Sequence, residues 1–209
     1  MGRLSKRGKF ITFEGIDGCG KSTQLKKVTS KLKKLGFNVV STREPGGTSV
    51  GDAIREILLA PKHYNMTIET EALLYAASRV QHIEEFIIPN LAEDNIVLCD
   101  RFVDSSVAYQ GIKLSHEEVI RVNQPAYDKV TPDITFLIDI TPERAAKRLG
   151  IEKDRIENRG VNYQSQVREN YLFLAEEEPD RIVIINGDQS EEKVFEELWN
   201  VLEDILIRN

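Results

Sequence analysis

A glycine-rich segment near the amino terminus constrains the fold of this 209-residue chain more than any other feature of its sequence. Residues 15–22 read Gly-Ile-Asp-Gly-Cys-Gly-Lys-Ser and fit the pattern G-x-x-x-x-G-K-[ST]. The apolar run before them, Phe10–Glu14, has the length and composition of a buried strand, and apolar residues recur after them at helical spacing from Leu25 to Leu35. A strand, a glycine-rich loop and a helix in this order predict a loop that binds the phosphates of a nucleotide.

The residue types of this loop explain how it would hold a polyphosphate. Glycine lets the backbone approach the phosphates closely and turn its N–H groups toward them. The helix that begins near Lys21 presents free N–H groups and the positive end of its dipole to an anion. We expect Lys21 to reach the β- and γ-phosphates of ATP and the Ser22 hydroxyl to ligate Mg²⁺. The loop residues predicted to bind ATP are Gly15, Ile16, Asp17, Gly18, Cys19, Gly20, Lys21, Ser22 and Thr23.

Composition excludes several classes of protein. The formal net charge is -6, from 28 basic and 34 acidic residues, which argues against non-specific nucleic-acid binding. The two cysteines, Cys19 and Cys99, are too few for a disulfide framework and favour a reducing, cytoplasmic location. Neither a signal peptide nor a membrane span is expected, because no apolar run has the required length. Cys19 is interpreted either as a thiol activated by the helix terminus or, preferably, as a small filler residue.

Alternating strand and helix patterns predict the fold class. Short apolar runs predict strands over Phe10–Glu14, Asn38–Ser41, Ile96–Asp100, Ile134–Asp139 and Arg181–Asn186. Helices are predicted over Glu69–Ile88, where Pro89 would end a long helix, over Tyr163–Glu177 and over Glu191–Ile207. This alternation predicts a single α/β domain over residues 1–209, with a five-stranded parallel sheet flanked by helices in a three-layer P-loop sandwich. In such sheets, ligands bind outside the carboxyl ends of the strands.

A phosphate loop alone leaves a switch GTPase, an ATP-driven machine and a small-molecule kinase as alternatives. Four further segments bear on this choice: Thr42–Thr48 (TREPGGT), Leu73–Arg79 (LLYAASR), Asp100–Gly111 (DRFVDSSVAYQG) and Asp154–Glu157 (DRIE). Together with Phe13–Gly18 (FEGIDG), they closely resemble the thymidylate kinase family, particularly its bacterial-type members. The resemblance, which runs from about residue 10 to residue 171, implies an enzyme that uses MgATP to phosphorylate dTMP to dTDP in dTTP biosynthesis.

The resemblance also implies the residues around dTMP, in segments 43–55, 75–79 and 100–110. Arg101 should hold the phosphate with Arg43 and Arg55 near it, and Asp17 should accept a hydrogen bond from the 3′-hydroxyl. The other implied contacts are Glu44, Tyr75 stacking on thymine, Arg79 donating to its O4, Ser106 and Gln110 at its N3 edge, and Tyr109 crowding the sugar. A donor at O4 selects thymine over cytosine, whose 4-amino group would face that donor.

The arginines on these segments fit the chemistry of two phosphorylated substrates. Two polyanions in one cleft require several cations there, despite the acidic total charge of the chain. Arg43, Arg55, Arg79 and Arg101 lie on segments expected at the open edge of the sheet. Their forked guanidinium groups suit phosphate better than lysine does.

Two carboxylates at the ends of predicted strands are candidates for the metal site. Asp100 would either bind Mg²⁺ through water or position Arg101 by a salt bridge. Glu14 ends the strand before the glycine-rich loop and would serve either the metal or only the loop. Ser22 and Asp100 are the predicted metal residues.

A lid is expected over about residues 147–160, after the fourth strand. Some family members carry a catalytic cation in the phosphate loop, one residue after the Asp, and here that position is Gly18. The charge must then come from the lid, which contains Arg148, Lys153, Arg155 and Arg159. We expect Arg155 to act on the transferring phosphoryl group together with Lys21 and Arg101. Arg148 is expected nearer adenine, which would pack against the lid and the turn at residues 186–189.

Two other functions are weighed against a dTMP kinase. A deoxynucleoside kinase needs a carboxylate base beside the acceptor hydroxyl, whereas residues 42–48 and 100–111 suit a phosphorylated acceptor better. A guanine-binding switch usually carries an N-K-x-D motif, and neither Asn123 nor Asn158 lies in that context. Family members are usually homodimers packed through helices, so a homodimer is expected here, with residues 69–88 able to supply the face.

Overall fold

The computed structural model describes residues 8–150 and 154–208, and it contains the predicted sheet. The strands are β1 (Lys9–Glu14), β2 (Val39–Arg43), β3 (Ile96–Asp100), β4 (Ile134–Asp139) and β5 (Ile182–Asn186). All neighbouring strands are parallel, in the order β2-β3-β1-β4-β5, which confirms the predicted five-stranded parallel sheet. Predicted strand ends differ from these bounds by two residues at most.

Helices cover both faces of the sheet. They are α1 (Lys21–Lys34), α2 (Ser49–Leu59), α3 (Ile68–His82), α4 (Ile88–Ala92), α5 (Val103–Gln110), α6 (His116–Tyr127), α7 (Pro142–Ala146), α8 (Val161–Glu177) and α9 (Glu191–Glu203). Helices α2, α3 and α9 are capped by Thr48, Thr67 and Ser190. The side chain of each cap accepts a hydrogen bond from the backbone N–H of the residue three positions later. With right-handed crossovers, this strand order places α1 and α9 on one face and the longer remaining helices on the other.

The predicted end of the long helix at Pro89 is wrong. Helix α3 stops at His82, a π-helical turn follows at Ile83–Ile87, and α4 continues through Pro89 to Ala92. Pro89 does not end the helical path because it lies in the first turn of α4, where no backbone N–H is needed. The last predicted helix also ends early, because α9 gives way to a π-helical turn at Asp204–Arg208.

Alternating side chains of β1 and β3 belong to two different apolar clusters. Ile11 and Leu98 belong to a cluster that also contains Leu32 of α1. Phe10 and Val97, one position away on the same strands, belong to a second cluster that includes residues of the π-helical turn after α3. This period of two is what buried parallel strands require.

The strand register brings the predicted site segments to one edge of the sheet. Asp100, at the end of β3, pairs with Phe13 of β1 on one side and with Arg43 of β2 on the other. The glycine-rich loop, the segment after β2 and the segment after β3 therefore leave the sheet side by side.

The lid segment lies between α7 and α8. Its described residues include a short 3-10 turn at Glu157–Arg159, which leads into α8. Lys153, one of the predicted lid cations, lies outside the described residues. Among the helices of the described ranges, none combines the length and the apolar composition that crossing a membrane would take.

Candidate active site

A cavity of about 640 Å³ opens at the carboxyl edge of the sheet, with the glycine-rich loop as one wall. Lys21, Arg43, Arg101 and Arg148, each from a different segment of the chain, also line it. The cations that the sequence predicted around the phosphates therefore share one open space, although the net charge of the chain is negative.

A second cavity, of about 90 Å³, adjoins the first, and Asp17, Glu44, Arg55 and Arg101 line both. The residues predicted to bind dTMP that line the second cavity are Asp17, Glu44, Arg55, Tyr75, Arg101, Ser106, Tyr109 and Gln110. The structure thus brings together eight of the ten residues of that prediction, and Arg43 lines the larger cavity next to them.

The backbone of the glycine-rich loop is closely packed and cannot accept side chains at two positions. A Cβ on Gly15, whose φ is 135°, would lie 2.6 Å from the Ile138 carbonyl oxygen. A Cβ on Gly18, at φ 82°, would lie 2.5 Å from the carbonyl oxygen of Ala145 in α7. Lys21 closes the loop, because its Nζ donates to the carbonyl oxygens of Gly15 at 3.0 Å and Ile16 at 2.9 Å.

Cys19 is buried inside this loop. Its side chain is only 2% exposed, and its Sγ is 3.5 Å from the Nζ of Lys21. The position agrees with the preferred interpretation of Cys19 as a small residue that fills the loop.

Arg101 joins the two cavities through both ends of its guanidinium group. Its Nη1 donates to the Gly15 carbonyl oxygen at 3.2 Å, and its Nη2 donates to Asp17 Oδ1 at 2.6 Å and to the Tyr109 hydroxyl at 3.2 Å. Its φ of 72° is in the left-handed region that non-glycine residues rarely occupy. Such backbone strain persists only where surrounding contacts hold it, and it recurs at functional sites.

Glu14 supports the segment that carries Arg101 and lines neither cavity. It is fully buried, and its Oε1 accepts the Phe102 N–H at 2.6 Å. Its Oε2 accepts the hydroxyls of Ser105 at 2.6 Å and Tyr171 at 2.7 Å. With both oxygens occupied by protein donors, Glu14 anchors the start of α5, and a metal role for Asp100 stays a prediction.

The burial of Glu14 predicts a pH-dependent stability. Burial, followed by the charge of Asp104, raises the Glu14 pKa from 4.5 to about 7. Between these pH values the folded chain binds a proton at Glu14 that the unfolded chain has lost, so the stabilising effect of that proton falls as pH rises. We expect the free energy of unfolding to lose up to about 3 kcal/mol from this group between pH 4.5 and 7.

Urea unfolding at intervals of pH would measure this slope in the wild type and in Glu14→Gln, which stays neutral. The variant should be less stable overall but should lack the fall assigned to Glu14. Parallel pH profiles for the two proteins would contradict the assignment, because the difference between the profiles isolates this one group.

Ser22 and Asp100 form a pair suited to Mg²⁺. The Ser22 hydroxyl donates to Asp100 Oδ2 at 2.5 Å, between the start of α1 and the end of β3. In the parts of the chain that the structure describes, no group of three His, Cys, Asp or Glu residues could hold a metal by itself. One hydroxyl and one carboxylate fit Mg²⁺, which keeps several waters and takes the remaining oxygen ligands from substrate phosphates.

The charges around the smaller cavity favour an anionic ligand. Burial and then the neighbouring charge of Arg43 lower the pKa of Arg55, which also lies near Arg101. Burial raises the pKa of Asp17, but the positive charges of Arg101 and Lys21 outweigh it and lower that pKa overall. Asp17 is therefore a carboxylate that accepts hydrogen bonds, and the cluster of arginines beside it is suited to a phosphate.

Arg79 differs from its predicted position in the base pocket. Its side chain is 1% exposed and does not line either cavity. Its Nε donates to Glu44 at 2.7 Å, its Nη1 to Ser106 and Asn123, and its Nη2 to the Phe102 carbonyl oxygen at 3.1 Å. A guanidinium has five N–H donors, so one N–H on Nη2 is left, and a contact with thymine O4 stays a prediction that depends on it.

Glu44 is held by the same buried network. Its Oε2 accepts from Arg79, and its Oε1 lies 3.0 Å from Nδ1 of His82, which is also buried. The His82 Nε2 lies 2.7 Å from the Thr42 hydroxyl. Glu44 lines both cavities and positions Arg79 beneath them.

Arg155 was expected to act beside the phosphate loop, but in this structure its side chain contacts other residues. It is 7% exposed, its Nε donates to the Leu58 carbonyl oxygen at 2.7 Å, and its Nη1 pairs with Glu71 at 2.7 Å. The buried carboxylate of Glu71 attracts Arg155 and Arg159 away from the loop, since an unpaired buried charge is costly.

Among the lid cations that the structure describes, Arg148 is the one that contacts the loop. Its Nη1 donates to the Cys19 carbonyl oxygen at 3.4 Å, and its Nη2 to the Gly187 carbonyl oxygen at 3.2 Å. Gln189 of the turn after β5 lines the same cavity. Arg148 thus lies between the phosphate loop and the turn after β5, and its expected place near adenine stays a prediction.

Several residues that organise the site were not predicted from the sequence. Ser105 and Tyr171 connect Glu14 to Arg101, and Glu71 connects Gln110 to the lid. Only Ser105 lies in a predicted site segment. For Tyr171 and Glu71 the sequence offers helical periodicity alone, which does not reveal partners about 40 to 160 residues away.

Comparison with known proteins agrees with this geometry. A family model described as thymidylate kinase matches residues 13–198. A thymidylate kinase from Exiguobacterium sp. (strain AT1b) is 48% identical over 195 residues, covering 91% of this chain and 92% of the relative. One from Thermoanaerobacter sp. (strain X514) is 48% identical over 203 residues, covering 96% of this chain and 100% of the relative.

The crystal structure of a thymidylate kinase from Ehrlichia chaffeensis superposes with a TM-score of 0.76 at 33% identity, covering 94% of this chain and 99% of that one. This similarity over most of both chains, together with the parallel five-stranded sheet, confirms the predicted P-loop fold. The chain therefore belongs to the thymidylate kinase family.

Proposed function

We propose that this chain transfers the γ-phosphoryl group of ATP to dTMP, giving dTDP and ADP, with the two nucleotides bound head to head. Membership of the thymidylate kinase family supports this activity, which belongs to dTTP biosynthesis. One observation carries the geometry: Lys21 and Arg101 both donate to the Gly15 carbonyl oxygen, at 3.0 and 3.2 Å. The cation for the donor phosphates and the cation for the acceptor phosphate are therefore neighbours.

The reaction requires positioning and charge neutralisation more than acid–base chemistry. The acceptor is a phosphate monoester that is already largely ionised near neutral pH, so no general base is needed. An in-line transfer needs the attacking and leaving oxygens held in one line and the charges of both substrates compensated. Lys21 from the donor side and Arg101 from the acceptor side supply that compensation at the junction of the cavities.

The smaller cavity supports the proposed contacts to dTMP. Arg101, Arg43 and Arg55 would hold its phosphate, and the Asp17 carboxylate would accept the 3′-hydroxyl. The sugar and base would meet the other residues proposed here, which are Glu44, Tyr75, Ser106, Tyr109 and Gln110, with Arg79 behind them.

On the donor side, residues 15–23 would bind the ATP phosphates and Arg148 would lie toward adenine. Ser22 and Asp100 would hold Mg²⁺, which neutralises charge on the β- and γ-phosphates when bound. Asp100 would act on the metal and not on Arg101, because its contact is with the Ser22 hydroxyl.

The lid cation is proposed to be Arg155, which would have to leave Glu71 as the lid closes on the phosphates. Arg155 Nη2 has no hydrogen-bond partner among the described residues, although it is buried. A buried donor without a partner is costly, so the buried position of Arg155 on Glu71 is less favourable than one in which every N–H of the guanidinium is bonded. The arrangement therefore favours release of Arg155 when phosphate oxygens become available.

Replacing Arg155 with alanine is expected to lower kcat about 100-fold and to change the KM for dTMP little, because the charge acts on the transferring group. Steady-state kinetics with dTMP and MgATP would measure both constants. Arg148→Ala is the matched comparison and should mainly raise the KM for ATP. A wild-type kcat in folded Arg155→Ala would remove Arg155 from the reaction and leave Arg148, Lys153 and Arg159 as the candidate lid cations.

A homodimer and a cytoplasmic location are also proposed. Val50 and Ile57 on α2 and Leu73 on α3 are 50%, 45% and 59% exposed, although α2 and α3 pack against each other. A second copy would cover such apolar side chains. Light scattering after size exclusion would detect the dimer, and a monomer at micromolar concentration would contradict it.

Turnover of a panel of acceptors tests the proposed function. Purified protein with MgATP would be given dTMP, dUMP, dCMP and thymidine, and ADP release would be followed. We expect rapid turnover of dTMP, weak turnover of dUMP and none of thymidine. A nucleoside kinase would reverse the order of dTMP and thymidine, and a nucleotide switch would release ADP without depending on any acceptor.

A further inference from the structure

A buried carboxylate beneath the base pocket, Glu71 of α3, has no part in the contacts considered so far for dTMP. Its side chain is fully buried, and it lines neither cavity. Its Oε1 accepts the amide Nε2 of Gln110 at 2.9 Å. Its Oε2 pairs with Arg155 at 2.7 Å and also with Arg159.

These contacts fix the orientation of the Gln110 amide. A carboxylate paired with two guanidinium groups only accepts hydrogen bonds, so Gln110 must present its NH₂ group to Glu71. The opposite orientation would place the Gln110 carbonyl oxygen against Glu71, with two acceptors facing each other. Because both arginines bind Oε2, Oε1 is left for the amide. Gln110 is 2% exposed and lines the smaller cavity, so its carbonyl oxygen is the atom left for a ligand there.

A fixed acceptor in this cavity distinguishes pyrimidine bases by their N3 edge. Thymine and uracil carry a proton on N3 and can donate to a carbonyl oxygen. Cytosine carries a lone pair on N3 and would face that oxygen as a second acceptor. Mismatched buried polar groups lose both the hydrogen bond and the solvation that each group had in water.

We infer that Glu71 is a positioning residue that fixes the Gln110 amide, so that the pocket accepts a base with a protonated N3 and rejects cytosine. The inference rests on the proposed binding of dTMP in the smaller cavity. It adds a determinant of base choice to Arg79, which in this structure donates mainly to protein acceptors beneath the cavity.

The test compares selectivity in Glu71→Gln with the wild type. The isosteric amide can donate to the Gln110 carbonyl oxygen, so the Gln110 amide can turn and offer its NH₂ to the base. We expect the ratio of kcat/KM for dTMP to that for dCMP to fall at least about tenfold. The change should come from a higher KM for dTMP and a lower KM for dCMP. The ratio for dTMP over dUMP should stay constant, because both bases carry the N3 proton.

Arg159→Gln is the matched control, since it removes one ion pair on Glu71 but leaves the Gln110 contact. It should change kcat/KM for dTMP and dCMP together and leave their ratio at the wild-type value. Equal loss of selectivity in both variants, or an unchanged ratio in Glu71→Gln with a normal melting temperature, would overturn the role of Glu71.

A reciprocal exchange covers the case in which Glu71→Gln folds poorly. Glu71→Gln combined with Gln110→Glu keeps one carboxylate near the two arginines and again presents an acceptor to the base. This double variant should prefer dTMP over dCMP as the wild type does, and failure to do so would contradict the inference. Absence of dTMP turnover in the wild type would instead refute the proposed function, so the two failures are distinguishable.

Discussion

Replacement of Lys21 by alanine is expected to lower kcat by roughly 10²- to 10³-fold, the cost of removing one preorganised charge from a phosphoryl-transfer site. Lys21 is 6% exposed, and its Nζ lies on the carbonyl oxygens of Gly15 and Ile16 at the wall of the larger cavity. Its ammonium group is therefore already held where the donor phosphates would bind. Water in the cavity can hydrate the two carbonyl groups in the variant, so we expect it to fold.

Steady-state kinetics at saturating ATP and dTMP would measure this loss. The matched control is Lys26→Ala, which removes an exposed lysine from the same helix and should retain wild-type activity. A kcat within threefold of the wild type for Lys21→Ala would exclude Lys21 from transition-state stabilisation.

Substitution of Arg101 should act mainly on the acceptor. We expect Arg101→Ala to lower kcat/KM for dTMP by about 10³-fold, the size of effect seen when a guanidinium that contacts a transferring phosphate is lost. Arg101→Lys should recover little of it, because one ammonium cannot reproduce donors that reach Gly15 on one side and Asp17 with Tyr109 on the other.

The two substrates separate this role from a general structural effect. The KM for ATP should change much less than the KM for dTMP in both Arg101 variants, whereas a distorted phosphate loop would affect both. Arg121→Ala, at a 71% exposed position on α6, controls for the loss of an arginine as such and should leave the kinetics unchanged. Wild-type kcat/KM in Arg101→Lys would mean that charge alone suffices at this position.

Elements with a strong periodic signal could be predicted from the sequence, and elements without one could not. The strands are short, buried apolar runs, so Ile96–Asp100 and Ile134–Asp139 were predicted to the residue. Helix α5 (Val103–Gln110) was not predicted, because it is buried on nearly every side and has no polar face to create a helical period. The π-helical turn at Ile83–Ile87 has no sequence signature, and its presence made Pro89 the start of a helix instead of an end.

For the site, the sequence could predict which residues gather at the sheet edge but not how each side chain is engaged. The strand order alone brings the glycine-rich loop and Arg101 together. The engagement of Arg79 and Arg155 depends on Asn123 and Glu71, which are 44 and about 84 positions away from them in the chain. Buried charges choose the partners that satisfy them, and those partners are known only once the helices are packed.

The carbonyl oxygen of Ala145, which lies behind Gly18, bears on the hydrolysis of ATP in the absence of an acceptor. No side chain fits at Gly18 unless α7 moves, so this loop has no room for a built-in arginine. An arginine fixed in the loop would act on the γ-phosphate of ATP whether or not an acceptor was bound, and water could then accept the phosphoryl group. If the lid supplies the catalytic charge, as proposed, transfer depends on lid closure, and the steric crowding at Gly18 then limits ATP hydrolysis in the absence of an acceptor.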